Sequence, residues 1–299
     1  MEAKFINPYT DFGFKKLFGE EASKDLLIDF LNTILPASDR IKELQLTNPE
    51  NLPEYPDGRR AVFDIHCRNE RGEAFIVEMQ KAYQHYFKDR ALFYSTFPLQ
   101  QQAPQGEWDF QLKKVYFVAV LDFLYDEAEE RQKFSRHIHL KDQDGELFSD
   151  KLEFIFLQMP LFNKAENELA NHKDKWLYFL KNLVRFEDIP AVLREPIFTL
   201  AFATADLAAM NPRERDAYAA SLKIYRDNVN VIDSAYQKGV AQGIEQGIEQ
   251  VIEQGIEQGI EQGEIKQQLA IAKKSKAAGI APTLIAQITG LTESEIAAL

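Results

Sequence analysis

The sequence has a single cysteine in 299 residues, Cys67, which excludes an internal disulfide and any thiolate metal cluster. Cys67 falls inside an apolar strand pattern and reads as a core residue. No apolar run approaches the roughly 18 residues needed to cross a bilayer. The opening stretch MEAKFINPYTDFGFKK lacks the basic-then-apolar pattern of a secretory leader. Together these absences lead to the expectation of a cytoplasmic protein with no membrane role. Lys and Arg are missing from residues 239–265, which hold six glutamates, half of the net charge of −12. The rest of the chain is therefore only mildly acidic, and its net charge neither supports nor excludes a nucleic-acid partner.

What is present suits a globular chain with one sizeable core and a smaller appendage: 45% of residues are hydrophobic and 27% charged. TDFGFKKLFGEEASKDLLIDFLNTILP reads as two short helices, with Thr10 and Ser23 as N-caps and Pro36 as the stop. A strand is expected near Lys42 to Thr47, followed by NPENLPEYPDG, whose prolines and glycine argue against regular structure.

From Arg60 to Lys81 the pattern changes to period two. Phe63, Ile65 and Cys67 alternate with Val62, Asp64 and His66; after Asn-Glu-Arg-Gly, Phe75, Val77 and Met79 alternate with Ile76, Glu78 and Gln80. Two such runs around a tight turn predict a β-hairpin with a wholly apolar odd-numbered face. If it turns about Arg71, Asp64 faces Glu78 and Val62 faces Gln80. Opposed side chains have Cβ atoms about 4.5–5.5 Å apart. Two carboxylates at that separation repel unless a cation lies between them, and Mg²⁺ fits such a gap. Periodicity alone favours the alternative, in which Asp64 and Glu78 form the solvated face of an antiparallel hairpin.

Downstream, a helix is expected over Tyr83 to Gln102, then a buried strand in KKVYFVAVLDF and weaker strands in SRHIHLKD and KLEFIFLQMPLF. This order predicts an α/β core with a mixed sheet. After Asn163 the pattern is helical to about Tyr236.

Thr10-Asp11-Phe12, Phe14-Lys15-Lys16-Leu17-Phe18-Gly19, Phe63-Asp64-Ile65, Gly72 and Phe75-Ile76-Val77-Glu78-Met79-Gln80 together resemble the Rpn family of recombination-promoting nucleases and transposases. That family is a branch of the PD-(D/E)xK superfamily, and the resemblance covers roughly residues 5–125. It implies a PD-(D/E)xK (restriction-endonuclease-like) core, DNA as substrate, and metal-dependent endonuclease activity associated with recombination or mobile elements. It also implies Mg²⁺ or Mn²⁺ on Asp64 and Glu78, with the Met79 carbonyl as a third ligand. Pro56-Asp57 matches the letters of the motif, but Asp57-Gly58 is a turn pair, so Asp64 is the better match.

The superfamily's lysine, two residues after the glutamate, is here Gln80, which supplies no charge. Lys15, Lys16 and Arg90 are the candidate replacements, with Lys15 assigned because it lies in the matched segment; it reads equally as a surface lysine. Lys81 points to the face opposite Gln80. Lys16, Arg90 and Tyr94 are assigned to DNA contact. His66 shares the face of Asp64 but reads as a bystander, and His137 and His139, with no accompanying carboxylate pattern, read as structural. The alternative function is an inactive nuclease-fold protein that binds DNA or a partner.

Residues 239–265 repeat Gly, Ile, Glu and Gln every four positions. Each Gly costs a helix about 1 kcal/mol relative to Ala, so such a helix is not expected to persist alone. The segment reads either as a homo-oligomer contact through residues 239–263 or as a solvated linker. The last stretch resembles a helix-turn-helix in outline, with Thr292 and Glu295 at capping-box spacing, and suits a packing module better than a sequence reader. The expected domains are residues 1–162 (nuclease-like core), 163–237 (helical extension), 238–265 (repeat helix) and 266–299 (small helical tail).

Overall fold

A computed structural model describes residues 3–47, 50–51, 61–103, 106, 108–125 and 133–299. Residues 52–60, with Pro56-Asp57 and most of NPENLPEYPDG, lie outside the described residues. The chain divides into two units, Met1–Arg226 and Asp227–Leu299.

The first unit opens with α1 (Asp11–Phe18) and α2 (Lys24–Ile34). The Thr10 hydroxyl accepts the Gly13 N–H at 3.0 Å and so caps α1 as expected. Ser23 does not cap α2 with its side chain; its hydroxyl donates to the carbonyls of Lys16 and Glu20 instead. α2 stops before Pro36, with Leu35 already extended, as a residue preceding proline prefers.

Then come β1 (Leu44–Thr47), β2 (Glu50–Asn51), β3 (Ala61–Val62), β4 (Ile65–Asn69), β5 (Ala74–Gln80), α3 (Phe87–Gln100), β6 (Val115–Leu121), β7 (Ser135–Lys141) and β8 (Leu147–Gln158). Six strands form a mixed sheet in the order β1-β4-β5-β6-β8-β7, with β5, β6 and β8 parallel and the other pairings antiparallel. β5, α3 and β6 make a β-α-β unit.

Each face of the sheet is covered, which is why β6 is buried along its whole length. Tyr116, Val118 and Val120 of β6 join Ile65, Cys67, Phe75 and Val77 against α1, α2, α4 (His172–Asn182) and α5 (Pro196–Ala205). Val115, Phe117, Ala119 and Leu121 join Ile76, Phe154 and Phe156 against Phe87 and Ala91 of α3. This is the α/β mixed-sheet core expected of a PD-(D/E)xK fold.

The hairpin has the expected register: Ile65 pairs with Val77 and Cys67 with Phe75 around a turn in which Gly72 takes φ 77°. Three details differ. β4 begins only at Ile65, and Phe63 lies in the core on the α3 side, apart from Ile65 and Cys67. Its ring packs against Tyr94 and Phe97 of α3, with centroids at 5.3 and 6.4 Å, so a tertiary contact overrides the alternation. Val62 pairs with Glu50 and not with Gln80, because β3 turns aside to join β2, a short strand inside the stretch thought irregular. α3 starts at Phe87, and the Tyr83 ring, ahead of it, packs on Phe123.

The long helix α6 (Pro212–Ala277) begins in the first unit. Its early turns present Glu214, Tyr218, Ser221 and Tyr225 on one face, at spacings of three and four. Glu214 pairs with Lys16, the Tyr218 hydroxyl accepts the Asn7 N–H, the Ser221 hydroxyl accepts the Phe12 N–H, and Tyr225 meets Lys81.

In the second unit the helix continues through the repeat, with Ile244, Ile248, Ile252, Ile256 and Ile260 exposed. A Cβ at Gly239, Gly243, Gly247, Gly255, Gly259 or Gly263 would meet nothing within 4 Å. Ala272 packs with Ile285 of α7 (Pro282–Thr289) and Ile296 of α8 (Glu293–Ala298), and Thr292 and Glu295 form a capping box. Among the described residues no helix is long and apolar enough to cross a membrane.

Candidate metal centre

The break between β3 and β4 builds the site. With no β4 residue continuing the ladder at Asp64, its side chain takes the vacated place: Oδ2 accepts the Met79 N–H at 2.8 Å. In return the Asp64 N–H donates to Glu78 Oε1 at 3.2 Å. These bonds lock the two carboxylates across the end of the hairpin. Within a strand, the N–H and C=O of one residue point to the same side, so the Met79 carbonyl faces the same edge as its N–H.

Burial raises the carboxyl pKa of both residues, because an unpaired anion is costly out of water. For Glu78, which is buried, desolvation is the larger cause and the charge of Asp64 adds to it. For half-buried Asp64, desolvation again leads, opposed by the Met79 N–H and reinforced by Asp11. Two cations act against these shifts. Lys15 weighs more than Arg90 at Asp64, and Arg90 weighs more than Lys15 at Glu78.

Lys15 reaches the site from α1, paired with Asp11 at 2.7 Å. Arg90 reaches it from α3: its guanidinium donates to Gln80 Oε1 and, at 2.7 Å, to Gln84 Oε1, and lies over the Tyr94 ring at 5.6 Å. The residue standing in the lysine position is thus an amide that holds an arginine. Lys15 and Arg90 act on both carboxyls, and Gln80 and Tyr94 contact Arg90.

Lys16 does not act there. It is bound to Glu20 at 3.1 Å and Glu214 at 2.6 Å, tying α1 to α6. Lys81 faces away, as expected, toward Asp122 at 2.9 Å and Tyr225. His66 is buried, its ring edge-to-face with Phe63 at 5.5 Å. His137 Nδ1 and His139 Nε2 stand 2.8 and 3.8 Å from the buried Glu153, whose partner Lys114 lies at 2.7 Å. Burial alone would raise the Glu153 carboxyl, but His137 and Lys114 outweigh it and hold it below the usual range. That carboxylate was missed in the sequence because it sits across the strand pair, opposite His139.

Asp11 is the site residue that sequence reasoning overlooked. It lies in the matched TDFGFKK segment, four residues before Lys15, a spacing that puts both on one helix face. Only the approach of α1 to the hairpin brings its charge to Asp64.

Among the described residues no three His, Cys, Asp or Glu side chains gather as a metal cluster. Magnesium is held by one or two carboxylates with water completing the shell, so a two-carboxylate site with a main-chain carbonyl fits its needs. The hydrogen bonds between the strands use Asp64 Oδ2 and Glu78 Oε1. They leave Asp64 Oδ1 and Glu78 Oε2 with no hydrogen bond among the described residues. A buried and a half-buried carboxylate with one oxygen each left over, and both pKa values raised, form a donor set suited to a divalent cation.

Residues 8–235 match a protein family described as PD-(D/E)XK nuclease family transposase. No curated protein and no solved structure matches the chain.

Proposed function

We propose, from the premise that the chain belongs to the PD-(D/E)XK nuclease family transposases, that it is a DNA endonuclease dependent on Mg²⁺ or Mn²⁺. A nuclease role follows from the family, and nucleases of this kind generally use divalent metals. The observation that carries the finer reading is the pair Asp64 and Glu78, locked together through the Met79 and Asp64 N–H groups with an oxygen of each left unbonded among the described residues. Asp64, Glu78 and the Met79 carbonyl would hold the ion. When bound, it polarises the phosphate and lowers the pKa of an attacking water.

The chain's own groups do the rest. Lys15 and Arg90 offset the charge that develops on the phosphate, Gln80 fixes the Arg90 guanidinium, and Tyr94 packs beside it to contact the DNA. Lys16, bound to Glu20 and Glu214, holds α6 to α1. The association with recombination or mobile elements belongs to the same reading, as does a homo-oligomer through residues 239–263.

The test is nicking of supercoiled plasmid by the purified protein with Mg²⁺. Nicking that disappears in Asp64→Ala and in Glu78→Ala is the expected result; equal nicking by those variants would point to a contaminant. One observation favours the second reading, an inactive nuclease-fold binding module: Gln80 in place of the lysine. Absence of nicking, together with absence of metal-dependent thermal stabilisation, would select it.

A further inference from the structure

Around Arg90, α3 and the segment leading into it line a groove of about 710 Å³, most of whose wall has no part in the cleavage chemistry. Its walls include Gln84, Tyr86, Asp89, Arg90, Phe93 and Tyr94. Tyr86, the residue that precedes α3, and Phe93, about two turns further along, are 70% and 43% exposed, so two large rings stand open to water. Scattered exposed aromatics need no explanation, but two that line one concave wall do.

Arg90 belongs to both places. It lines the groove and also donates to Gln80, two residues beyond Glu78. Its Nε is buried with no hydrogen-bond partner among the described residues, a donor left for an incoming acceptor. A guanidinium flanked by open rings matches one chemical object: a phosphate with an adjacent flat, polarisable base.

Resting on the nuclease reading above, we propose that the groove takes an unpaired nucleobase stacked on Tyr86 and Phe93, from the strand whose adjoining phosphate is cleaved at Asp64 and Glu78. The substrate is then single-stranded or locally opened DNA. Base faces in a duplex are buried in the stack, so a groove that works by stacking receives a base only where the helix is open. Charge points the same way. Tight duplex binding without base contacts depends on many Lys and Arg neutralising phosphates. Of the cations beside the site, Lys15 is paired with Asp11, Arg90 is held by Gln80 and Lys16 is bound to Glu20 and Glu214, which favours stacking as a source of affinity. Asp89 on the groove wall accepts hydrogen bonds from a base amino group, whereas it would repel a second phosphate.

The experiment measures binding by the full-length protein in EDTA, so that no cleavage intervenes. The probes are an oligonucleotide carrying 2-aminopurine, the same sequence as a blunt duplex, and a duplex with a short unpaired bubble. Single strand and bubble should bind at least ten-fold tighter than the blunt duplex, with quenching of 2-aminopurine fluorescence. Phe93→Ala and Tyr86→Ala should each weaken single-strand binding by roughly ten-fold or more, the size expected for loss of one base stack. Phe93→Trp should keep the affinity, and Leu92→Ala, at an exposed residue of the same helix, should behave as wild type.

Equal affinity for single strand and blunt duplex, no binding of any oligonucleotide, or full binding by a folded Phe93→Ala variant would overturn the proposal. Plasmid nicking alongside any of these results leaves the nuclease reading standing and removes the groove assignment. The converse pattern, stacking without nicking in Mg²⁺, removes the nuclease reading and keeps the groove.

Discussion

Glu214 on α6 meets Lys16 on α1 at 2.6 Å, across 198 residues of sequence. One α-helical turn further the Tyr218 hydroxyl accepts the buried Asn7 N–H at 2.9 Å. Asn7 in turn supplies the carbonyl that receives the Thr10 N–H and hydroxyl, so α6 secures the turn from which α1 starts. Tyr218→Phe would leave the Asn7 N–H buried without an acceptor, at a cost of about 1–3 kcal/mol. Chemical denaturation should show that loss with an unchanged dependence on denaturant. Glu214→Gln should cost less, since that pair is open to solvent and screened by it. A Tyr218→Phe variant as stable as wild type would mean that α6 does not brace α1.

Gly13 is the second device that positions α1. A Cβ there would sit 2.1 Å from the Asn7 carbonyl oxygen and 2.8 Å from the Thr10 hydroxyl, and the backbone atom has little room to yield. Gly13→Ala should therefore destabilise the protein by about 1–3 kcal/mol, although alanine is the better helix former. It should also displace Asp11 and Lys15, so nicking should fall further than stability alone explains. A neutral or stabilising Gly13→Ala would show that α1 can shift freely.

The carboxylate pair predicts an unusual dependence of stability on pH. Burial first, and then Asp64, raise the Glu78 carboxyl above its ordinary value of 4.5. The folded chain thus holds this proton more tightly than the unfolded chain does. Between the ordinary and the raised pKa the folded state binds more protons, so stability is fully present below pH 4.5 and declines as pH climbs through the raised value. In EDTA, the melting temperature should fall on going from mildly acid to mildly alkaline buffer. Glu78→Gln, which has no proton to lose, should flatten part of the slope. A wild-type profile that rises with pH over this range would contradict the raised pKa.

Much of this centre can be read from the sequence because its parts are local. Period-two alternation marks the hairpin, a turn about Arg71 gives the register that the strands adopt, and Thr10 announces the start of α1. The unread parts are contacts between distant segments. Phe63 leaves its expected face for Tyr94 and Phe97, and the break this makes frees Asp64 to bond the Met79 N–H. Asp11 enters the site only through helix-to-sheet packing, and Glu153 meets His137 only across the β7 and β8 pair. Alternation describes a continuous strand and has no means to signal such an interruption.

In the proposed nuclease, Lys15 and Arg90 would divide the work expected of one lysine. Each lowers the pKa of both carboxyls, Lys15 acting more on Asp64 and Arg90 more on Glu78. Removing either cation should raise those pKa values and carry the acid limb of the nicking profile to higher pH, since the ion binds the deprotonated pair. At the optimum each single alanine variant should lose roughly 100-fold in rate, the scale of one electrostatic contact to a developing charge. Unchanged cleavage by Lys15→Ala would leave Arg90 as the only replacement cation.

The glycines of the repeat give the cleanest test of self-association. No packing among the described residues requires them, because a Cβ at Gly243, Gly247, Gly255 or Gly259 meets nothing within 4 Å. In an isolated helix, replacing each by alanine should add about 1 kcal/mol of helix stability. In a helix pair held through the glycine lane, each added methyl would instead separate two backbones and weaken the complex. Helix content by circular dichroism and mass in solution by sedimentation therefore move apart in a Gly243→Ala, Gly247→Ala, Gly255→Ala, Gly259→Ala variant. Higher helicity with loss of the oligomer supports a docking face. Higher helicity with an unchanged monomer assigns the repeat to a solvated linker.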